Sequence, residues 1–209
     1  MLSDYTDEQV FWQKLWKEEK SLWLLPHVNH YLIQYLHRLN LKKGDTILVP
    51  LCGNSLDLIW LAQQGFKVIG VEIVAEAIQL FFEKHNIPFQ VIDNIYHASN
   101  RLLSLRIFHQ NFFQLDETLI PDVKAIYDRA AFTAIPPQKR LPYIKKLKSV
   151  GNKAPLLLIT CKHSLPDRLL PYSIKHHEVI ALFKSFYLVN LLAVRSINPI
   201  HHITAYYLS

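Results

Sequence analysis

The segment from Thr46 to Glu72 constrains the fold more than any other part of the chain. It reads TILVPLCGNSLDLIWLAQQGFKVIGVE: an apolar run, a turn, a helical stretch, a second apolar run and an acid. This order predicts a βαβ unit with a tight first turn. A small residue in such a turn lets the backbone approach a ligand, and the first N–H groups of the helix have no partner within it. The segment therefore predicts half of a nucleoside-binding site.

Glu72 has the position of an acid that binds a ribose. It lies 19 residues after Gly53, close to the spacing at which a carboxylate can accept both ribose hydroxyls. The turn has one glycine, whereas a dinucleotide fingerprint has three, so the pyrophosphate cradle is largely missing. This favours a nucleoside without phosphates, of which S-adenosylmethionine is the common example. The alternative is an unliganded βαβ unit whose terminal Glu is solvated.

Length and composition predict one domain over residues 1-209, with residues 1-40 as a helical cap. Half of the 209 residues are hydrophobic and 12% are aromatic, which is enough for a full core. No apolar run approaches the ~20 residues of a membrane span, and the acidic N-terminus does not resemble a signal peptide. Cys52 and Cys161 are too few for a disulfide framework, so we expect reduced thiols in a cytoplasmic protein.

The net charge of +6 does not by itself indicate a nucleic-acid partner. Much of the excess lies in one segment with helical spacing, where a solvated face is the simpler interpretation. Its residues are Lys139, Arg140, Lys145, Lys146 and Lys148. A nucleic-acid surface needs aromatic side chains between the charges, and Tyr143 alone does not supply them. The adjacent histidines at 176–177 and 201–202 point in different directions, so we expect surface histidines and no metal site.

Helices and strands alternate along the chain, which predicts an α/β fold with a mainly parallel sheet covered on both faces. Helices are predicted over residues 7–19, 26–39, 55–64, 75–85, 136–151 and 175–185, and strands over residues 46–50, 67–71, 123–128 and 156–160, with a short β excursion at residues 89–92 and 102–109. Residues 186–194 and 203–208 can pair as a C-terminal hairpin. Ligands of such sheets bind at the carboxyl ends of strands, where Leu51, Glu72, Asp128 and Cys161 fall.

Four segments resemble the thiopurine S-methyltransferase family in register. They are Phe11-Trp12-Gln13-Lys14-Leu15-Trp16, Leu48-Val49-Pro50-Leu51-Cys52-Gly53, Val68-Ile69-Gly70-Val71-Glu72 and Tyr127-Asp128-Arg129-Ala130-Ala131. The second and fourth are specific, because a turn with a single glycine is unusual among methyltransferases. The resemblance implies a Rossmann-like class I methyltransferase fold, in which a seven-stranded, mainly parallel sheet carries an antiparallel C-terminal hairpin and an N-terminal helical lid.

The resemblance also implies S-adenosylmethionine as cofactor and assigns roles to the matching residues. Leu51 and Gly53 match the turn that contacts the methionine part of the cofactor. Glu72 matches the acid that binds the ribose, and Ile73 matches the residue that packs on adenine.

Two further segments match the outer parts of the cofactor site. Gln110 and Asn111 match the loop around the adenine edge. Trp12 and Trp16 match two tryptophans on an N-terminal helix that closes over the cofactor. The alternative for these tryptophans is ordinary core packing, because residues four apart share one helix face.

Arg129 matches an arginine at the methyl-transfer site that also contacts the cofactor, and Asp128 precedes it as a second candidate catalytic residue. The chemistry agrees with this role. A sulfonium methyl is already electrophilic, so an acceptor thiolate or selenolate needs alignment and desolvation but no metal and no nucleophilic triad. One fixed guanidinium can favour the anionic acceptor. The alternative for Arg129 is a structural salt bridge.

The acceptor half departs from the family pattern more than the cofactor half. The fifth predicted strand is followed by Lys162-His163-Ser164 in place of the aromatic and acidic residues of relatives, and Arg195 is the nearest match to an expected C-terminal arginine. We expect a monomer that methylates a small thiol or chalcogen compound, whose identity the sequence leaves open. The other hypotheses are an NAD-binding Rossmann oxidoreductase and a catalytically silent protein that binds S-adenosylmethionine.

Overall fold

The computed structural model describes residues 2–18, 25–100, 103–120, 122–152, 154–166 and 170–209. These residues form two compact units, one from Met1–Asn29 and Lys42–Asp116 and the other from His30–Leu41 and Glu117–Ser209. The helices are α1 (Leu2–Lys17), α2 (His30–Tyr35), α3 (Leu56–Gln63), α4 (Ala75–Lys84), α5 (Ala131–Ala134), α6 (Arg140–Gly151) and α7 (His176–Phe183). The strands are β1 (Thr46–Val49), β2 (Lys67–Glu72), β3 (Phe89–Ile92), β4 (Ile95–Ala98), β5 (Leu105–His109), β6 (Val123–Arg129), β7 (Leu156–His163), β8 (Val189–Asn198) and β9 (His201–Leu208).

The first unit contains the predicted βαβ segment. Its strands are ordered β3-β4-β5-β2-β1, and β2 pairs in parallel with both β1 and β5. Ser55 caps α3, because its Oγ accepts a hydrogen bond from Asp57 N at 3.3 Å. Helix α4 buries four apolar side chains, Ala77, Ile78, Phe81 and Phe82. The carboxyl ends of β1 and β2 therefore lie side by side, as the sequence predicts.

The prediction of seven strands is wrong, since the described part of the chain has nine. The additional strands come from residues 89–98, which fold as an antiparallel hairpin beside β5. Asp93 and Asn94 form its two-residue turn with φ angles of 49° and 62°, the left-handed conformation that such hairpins require and these residue types tolerate. The sequence therefore predicts β structure in the right region, but it does not predict the strand β4. Residue 102 of that prediction lies outside the described residues.

The second unit has the strand order β6-β7-β9-β8. Strands β6 and β7 are parallel, whereas β9 pairs antiparallel with both β7 and β8. The predicted C-terminal hairpin is confirmed, with its turn at Pro199-Ile200. Pro142 lies in the first turn of α6. Backbone N–H groups in a first turn have no acceptor within the helix, so a proline there removes no intrahelical hydrogen bond.

Three sequence expectations about helices and their faces need correction. The predicted helix over residues 26–39 begins only at His30, and its last turn, Leu36–Leu39, is a 3₁₀ helix. Helix α1 begins at Leu2 rather than residue 7, and residue 19 of its predicted range lies outside the described residues.

The sequence predicts Arg140 on a solvated face of its helix, but the structure buries this side chain. Arg140 is only 5% exposed, and its guanidinium donates a hydrogen bond to Glu178 Oε1 at 3.1 Å.

Among the described helices, none combines the length and apolar character needed to cross a lipid bilayer.

Candidate functional site

The turn after β1 brings backbone N–H groups close to the end of β2. Leu51 and Gly53 adopt left-handed conformations with φ angles of 44° and 51°. Between them, Cys52 N donates to Val71 O at 3.0 Å and fixes the turn against β2. A left-handed Leu costs about 1 kcal/mol, which the surrounding hydrogen bonds offset. The turn is therefore held in one shape by β2.

Glu72 is the centre of this arrangement. Its Oε2 accepts from Gly53 N at 2.9 Å, and its Oε1 accepts from Ile73 N at 2.9 Å and Val74 N at 3.0 Å. Burial raises the pKa of the Glu72 carboxyl, and the three backbone donors oppose that shift. The carboxylate therefore joins the turn, the end of β2 and the start of α4, and it retains acceptor capacity toward ribose hydroxyls.

Trp16 packs directly on the turn. A methyl group added at Gly53 would lie 3.0 Å from a ring carbon of Trp16 and 3.9 Å from Glu72 Oε2. Only glycine thus allows the indole to approach the backbone this closely while the turn keeps its positive φ. The structure places the predicted Trp16, Gly53 and Glu72 together at one point.

The remaining predicted cofactor residues of this unit line one small cavity of about 20 Å³. Its lining comprises Glu8, Trp12, Leu51, Val71, Ile73, Gln110, Asn111, Phe112 and Phe113. Glu8, Trp12 and Trp16 are spaced four residues apart and so share one face of α1. Sequence reasoning missed Glu8, although this spacing from the two tryptophans was a usable signal.

The loop after β5 is fixed to the end of β2. Gln110 N donates to Glu72 O at 2.9 Å, and His109 Nε2 lies 3.2 Å from Ile73 O. Asn111 caps the short 3₁₀ helix that follows, since its Oδ1 accepts from Phe113 N at 2.9 Å. The predicted adenine loop is therefore rigidly placed beside Ile73.

Asn54 is a polar residue to which the sequence analysis assigns no role. It is 6% exposed, and neither its Oδ1 nor its Nδ2 has a hydrogen-bond partner. A buried amide without partners costs several kcal/mol, so it indicates a position that a polar ligand group can satisfy. Together with the Gly53 backbone and Glu72, it gives this region both donors and acceptors for the amino-acid and ribose parts of S-adenosylmethionine. The residues present fit that cofactor.

Asp128 and Arg129 belong to the second unit and face opposite sides of its sheet, because they are consecutive residues of β6. The Asp128 carboxylate is fully buried, and it accepts hydrogen bonds from Phe132 N at 3.0 Å and from Tyr143 Oη at 2.7 Å. Burial raises the pKa of Asp128 to about 6, against the effect of these hydrogen bonds. The carboxylate therefore connects α5 to α6.

Arg129 ends β6 with a partly exposed side chain. It is in register with Ile159 of β7, and strand alternation places Cys161 and Arg195 on the same sheet face. The charge of Arg195 acts on Tyr31 of α2, where it partly offsets the rise in the tyrosine pKa that burial causes. Arg129 and Arg195 therefore lie on the same face of this sheet, on strands that β7 and β9 separate.

The two cysteines are poor nucleophiles. Both are free and buried. Burial, followed by the nearby Glu72 charge, raises the Cys52 pKa well above its usual value, and burial raises the pKa of Cys161 to about 11. Each thiol stays protonated at neutral pH. Within the described ranges, no three His, Cys, Asp or Glu side chains are arranged to bind a metal ion.

Comparison with known proteins gives one consistent family. A profile of the thiopurine S-methyltransferase family matches residues 7–203. The thiopurine S-methyltransferase of Psychrobacter cryohalolentis is 34% identical over 190 residues, which cover 87% of each chain. The Pseudomonas putida enzyme of the same name is 35% identical over 194 residues, or 91% of this chain and 89% of that protein.

Solved structures agree on the fold. Magnesium protoporphyrin IX methyltransferase from Synechocystis, with bound S-adenosylmethionine, superposes with a TM-score of 0.69 at 15% identity, covering 99% of this chain and 97% of that one. A methyltransferase from Methanosarcina mazei superposes with a TM-score of 0.59 at 18% identity, covering 87% and 98%. At these identities the likeness establishes the class I methyltransferase architecture.

Proposed function

The chain belongs to the thiopurine S-methyltransferase family, and from this membership we propose that it methylates a small, acidic thiol or chalcogen compound with S-adenosylmethionine as donor. S-adenosylmethionine-dependent methyl transfer follows from the family and decides against the NAD-dependent alternative. The observation that carries the proposal is the hydrogen bond from Gly53 N to Glu72 beside Trp16, which supports a nucleoside site at the single-glycine turn.

Each donor-site residue has a proposed task. Glu72 accepts the ribose hydroxyls, while the Gly53 backbone and Asn54 hold the amino-acid part. Ile73, Gln110 and Asn111 hold the adenine. Trp12 and Trp16 exclude water and face the sulfonium with aromatic surface, which attracts a positive charge.

The acceptor side depends on Arg129. The bound donor supplies an electrophilic methyl group, so the protein needs only to align the acceptor atom and favour its anion. Arg129 supplies a positive charge on a planar guanidinium group. The protonated state of both buried thiols supports direct transfer to the acceptor over a route through a cysteine of the enzyme. Asp128 acts as a positioning residue, since its carboxylate accepts a hydrogen bond from the backbone of α5, the helix that follows Arg129.

We further place the protein in the cytoplasm as a monomer with no nucleic-acid or membrane partner. The two free thiols support a reducing compartment. The family resemblance supports the monomer.

An acceptor panel tests the proposal. Purified protein with S-adenosylmethionine is offered a thiopurine, an aromatic thiol of low pKa, an alkyl thiol of high pKa, selenite and tellurite, and methylated products are measured by mass spectrometry. We expect S-methylated product from the acidic thiols, at rates well above the alkyl thiol. Binding of the donor without product from any acceptor would instead support the catalytically silent alternative.

A further inference from the structure

The second unit contains a groove lined mainly by basic side chains. Its volume is about 550 Å³, and it lies between the start of α7 and the sheet face formed by β7, β9 and β8. Its lining residues are Lys162, Ile174, Lys175, His176, His177, Val194, His202 and Thr204, and we call this the basic groove. Five of these eight are lysines or histidines, and none is acidic.

The groove joins residues that are distant in sequence. Lys162 is in register with His202, and Thr204 is in register with Val194. Lys175 is the residue before α7, and the histidines at 176–177 are its first two residues. The histidine pairs, which the sequence indicated only as surface residues, thus contribute three imidazoles to one concave surface.

Two of the imidazoles are held in fixed orientations. His176 stacks on Tyr206 with ring centroids 5.7 Å apart and an interplanar angle of 7°, and its Nδ1 lies 3.2 Å from Tyr206 Oη. His202 Nδ1 lies 2.9 Å from Ser196 Oγ. Because Nδ1 of each ring is engaged, Nε2 remains available for another partner. When the hydroxyl donates its hydrogen bond to Nδ1 of a neutral ring, Nε2 carries the ring proton and can donate to a ligand.

The nearest acid in sequence does not neutralise the groove. Glu178 accepts from Lys175 N at 2.8 Å, and its other oxygen pairs with the buried Arg140 at 3.1 Å. Within the described residues, no lysine or histidine of the groove forms an ion pair. The start of α7 adds its partial positive charge and backbone donors to these side chains.

We propose that the basic groove binds an anionic small molecule through a phosphate or carboxylate group. Because Lys162 and Ile159 are three residues apart on β7, Lys162 lies on the sheet face opposite to Arg129. The groove is therefore a second site, separate from the face to which Arg129 is assigned. Its apolar residues, Ile174 and Val194, can contact the uncharged part of the same ligand.

The lining favours a small molecule over a nucleic acid. Single-stranded nucleic acids are bound by aromatic side chains that stack on successive bases along a continuous basic track. The lining of the basic groove has no Phe, Tyr or Trp. Its volume instead lies in the range of pockets for small ligands.

Titration with simple anions tests this site. Pyrophosphate and citrate are added to ¹⁵N-labelled full-length protein at constant ionic strength, and amide shifts are followed by NMR. We expect saturable shifts at residues 174–177, 162 and 202, with dissociation constants below about 1 mM, equivalent to about 4 kcal/mol of binding. Binding of pyrophosphate alone identifies phosphate as the recognised group, and binding of citrate alone identifies carboxylate. No saturation by either anion would overturn the proposal.

Charge reversal provides the matched control. Lys162→Glu should weaken anion binding at least tenfold. Lys184→Glu makes the same change at the far end of α7 and should alter it less than twofold. Unchanged donor affinity and thermal unfolding would show that both variants fold. Equal weakening in both variants would indicate a general charge effect and would contradict the site. Salt-sensitive binding of single-stranded RNA, without binding of pyrophosphate or citrate, would also contradict it.

Discussion

Two buried carboxylates lie at the carboxyl ends of strands β2 and β6: Glu72 is the last residue of β2, and Asp128 is the residue before Arg129, which ends β6. Glu72 accepts hydrogen bonds from three backbone N–H groups, whereas Asp128 accepts them from the backbone of the residues that follow β6 and from the Tyr143 hydroxyl. Hydrogen bonds to a charged group contribute about 1.5–3 kcal/mol each. At Asp128 they do not cancel the effect of burial, which still raises the pKa of this carboxyl to about 6. Asp128 therefore keeps a penalty for carrying its charge in the interior.

Stability should therefore depend on the protonation of Asp128. Its folded pKa of about 6 lies above the ordinary value of 3.8, so the folded state binds the proton more tightly than the unfolded state. The resulting stabilisation is fully present below pH ~4 and is lost as pH rises through ~6, a change of about 3 kcal/mol.

Asp128→Asn should remove this dependence, because the amide keeps an acceptor for Phe132 N and does not ionise. Urea unfolding between pH 4 and 7 measures the difference. Wild-type protein should lose stability relative to the variant as pH rises. Parallel profiles would mean that Asp128 does not titrate in this range.

Among single side chains, Arg129 is the one on which the proposed methyl transfer depends most. Arg129→Ala should lower kcat/KM for an acidic thiol about tenfold or more, or ~1.4 kcal/mol, because the anion loses its fixed counter-charge. Arg129→Lys should restore part of the activity, since a point charge lacks the planar fork. Donor affinity should change little. Full turnover in Arg129→Ala, or joint loss of fold and donor binding, would assign Arg129 to a structural role.

At the scale of elements, α1 is the part of the first unit that can move without disturbing its sheet. It contacts the turn through Trp16 and the cavity through Glu8 and Trp12. We predict slower amide exchange over residues 7–18 when the demethylated product of the donor is added, because the ligand connects α1 to the strand ends. Equal protection with and without ligand would show that α1 is a fixed structural helix.

The turn after β1 should be intolerant of a side chain at Gly53. Gly53→Ala places a methyl group 3.0 Å from Trp16, at a φ of +51°. Gly44→Ala is the matched control, since Gly44 has a φ of +88° with no atom within 4 Å. Both variants should lose about 1 kcal/mol of stability from backbone strain, but only Gly53→Ala should also weaken donor binding. Equal donor affinity in the two variants would contradict the packing of Trp16 on the turn.

At the scale of the whole molecule, the sequence predicted the first unit better than the second. Residues 46–72 have local signals of turn, cap and strand-end acid, and the structure brings Gly53, Glu72 and Trp16 together. The first strand of the hairpin, residues 89–92, is predicted, but the second strand, residues 95–98, is not, because the turn between them, Asp93-Asn94, lacks glycine. Burial of Arg140 depends on Glu178, 38 residues away, so no local pattern reports it. The basic groove is likewise assembled by strand register, which single-sequence patterns do not contain.

The most direct test of the donor site is calorimetric titration of wild-type protein and Glu72→Ala with S-adenosylhomocysteine and with NAD. The strand-end carboxylate and its single-glycine turn predict binding of S-adenosylhomocysteine, no binding of NAD, and at least tenfold weaker binding in Glu72→Ala, or ~1.4 kcal/mol. Glu72→Gln should give an intermediate loss, because it keeps one acceptor oxygen. Binding of NAD without S-adenosylhomocysteine, or an unchanged dissociation constant in folded Glu72→Ala, would contradict the account.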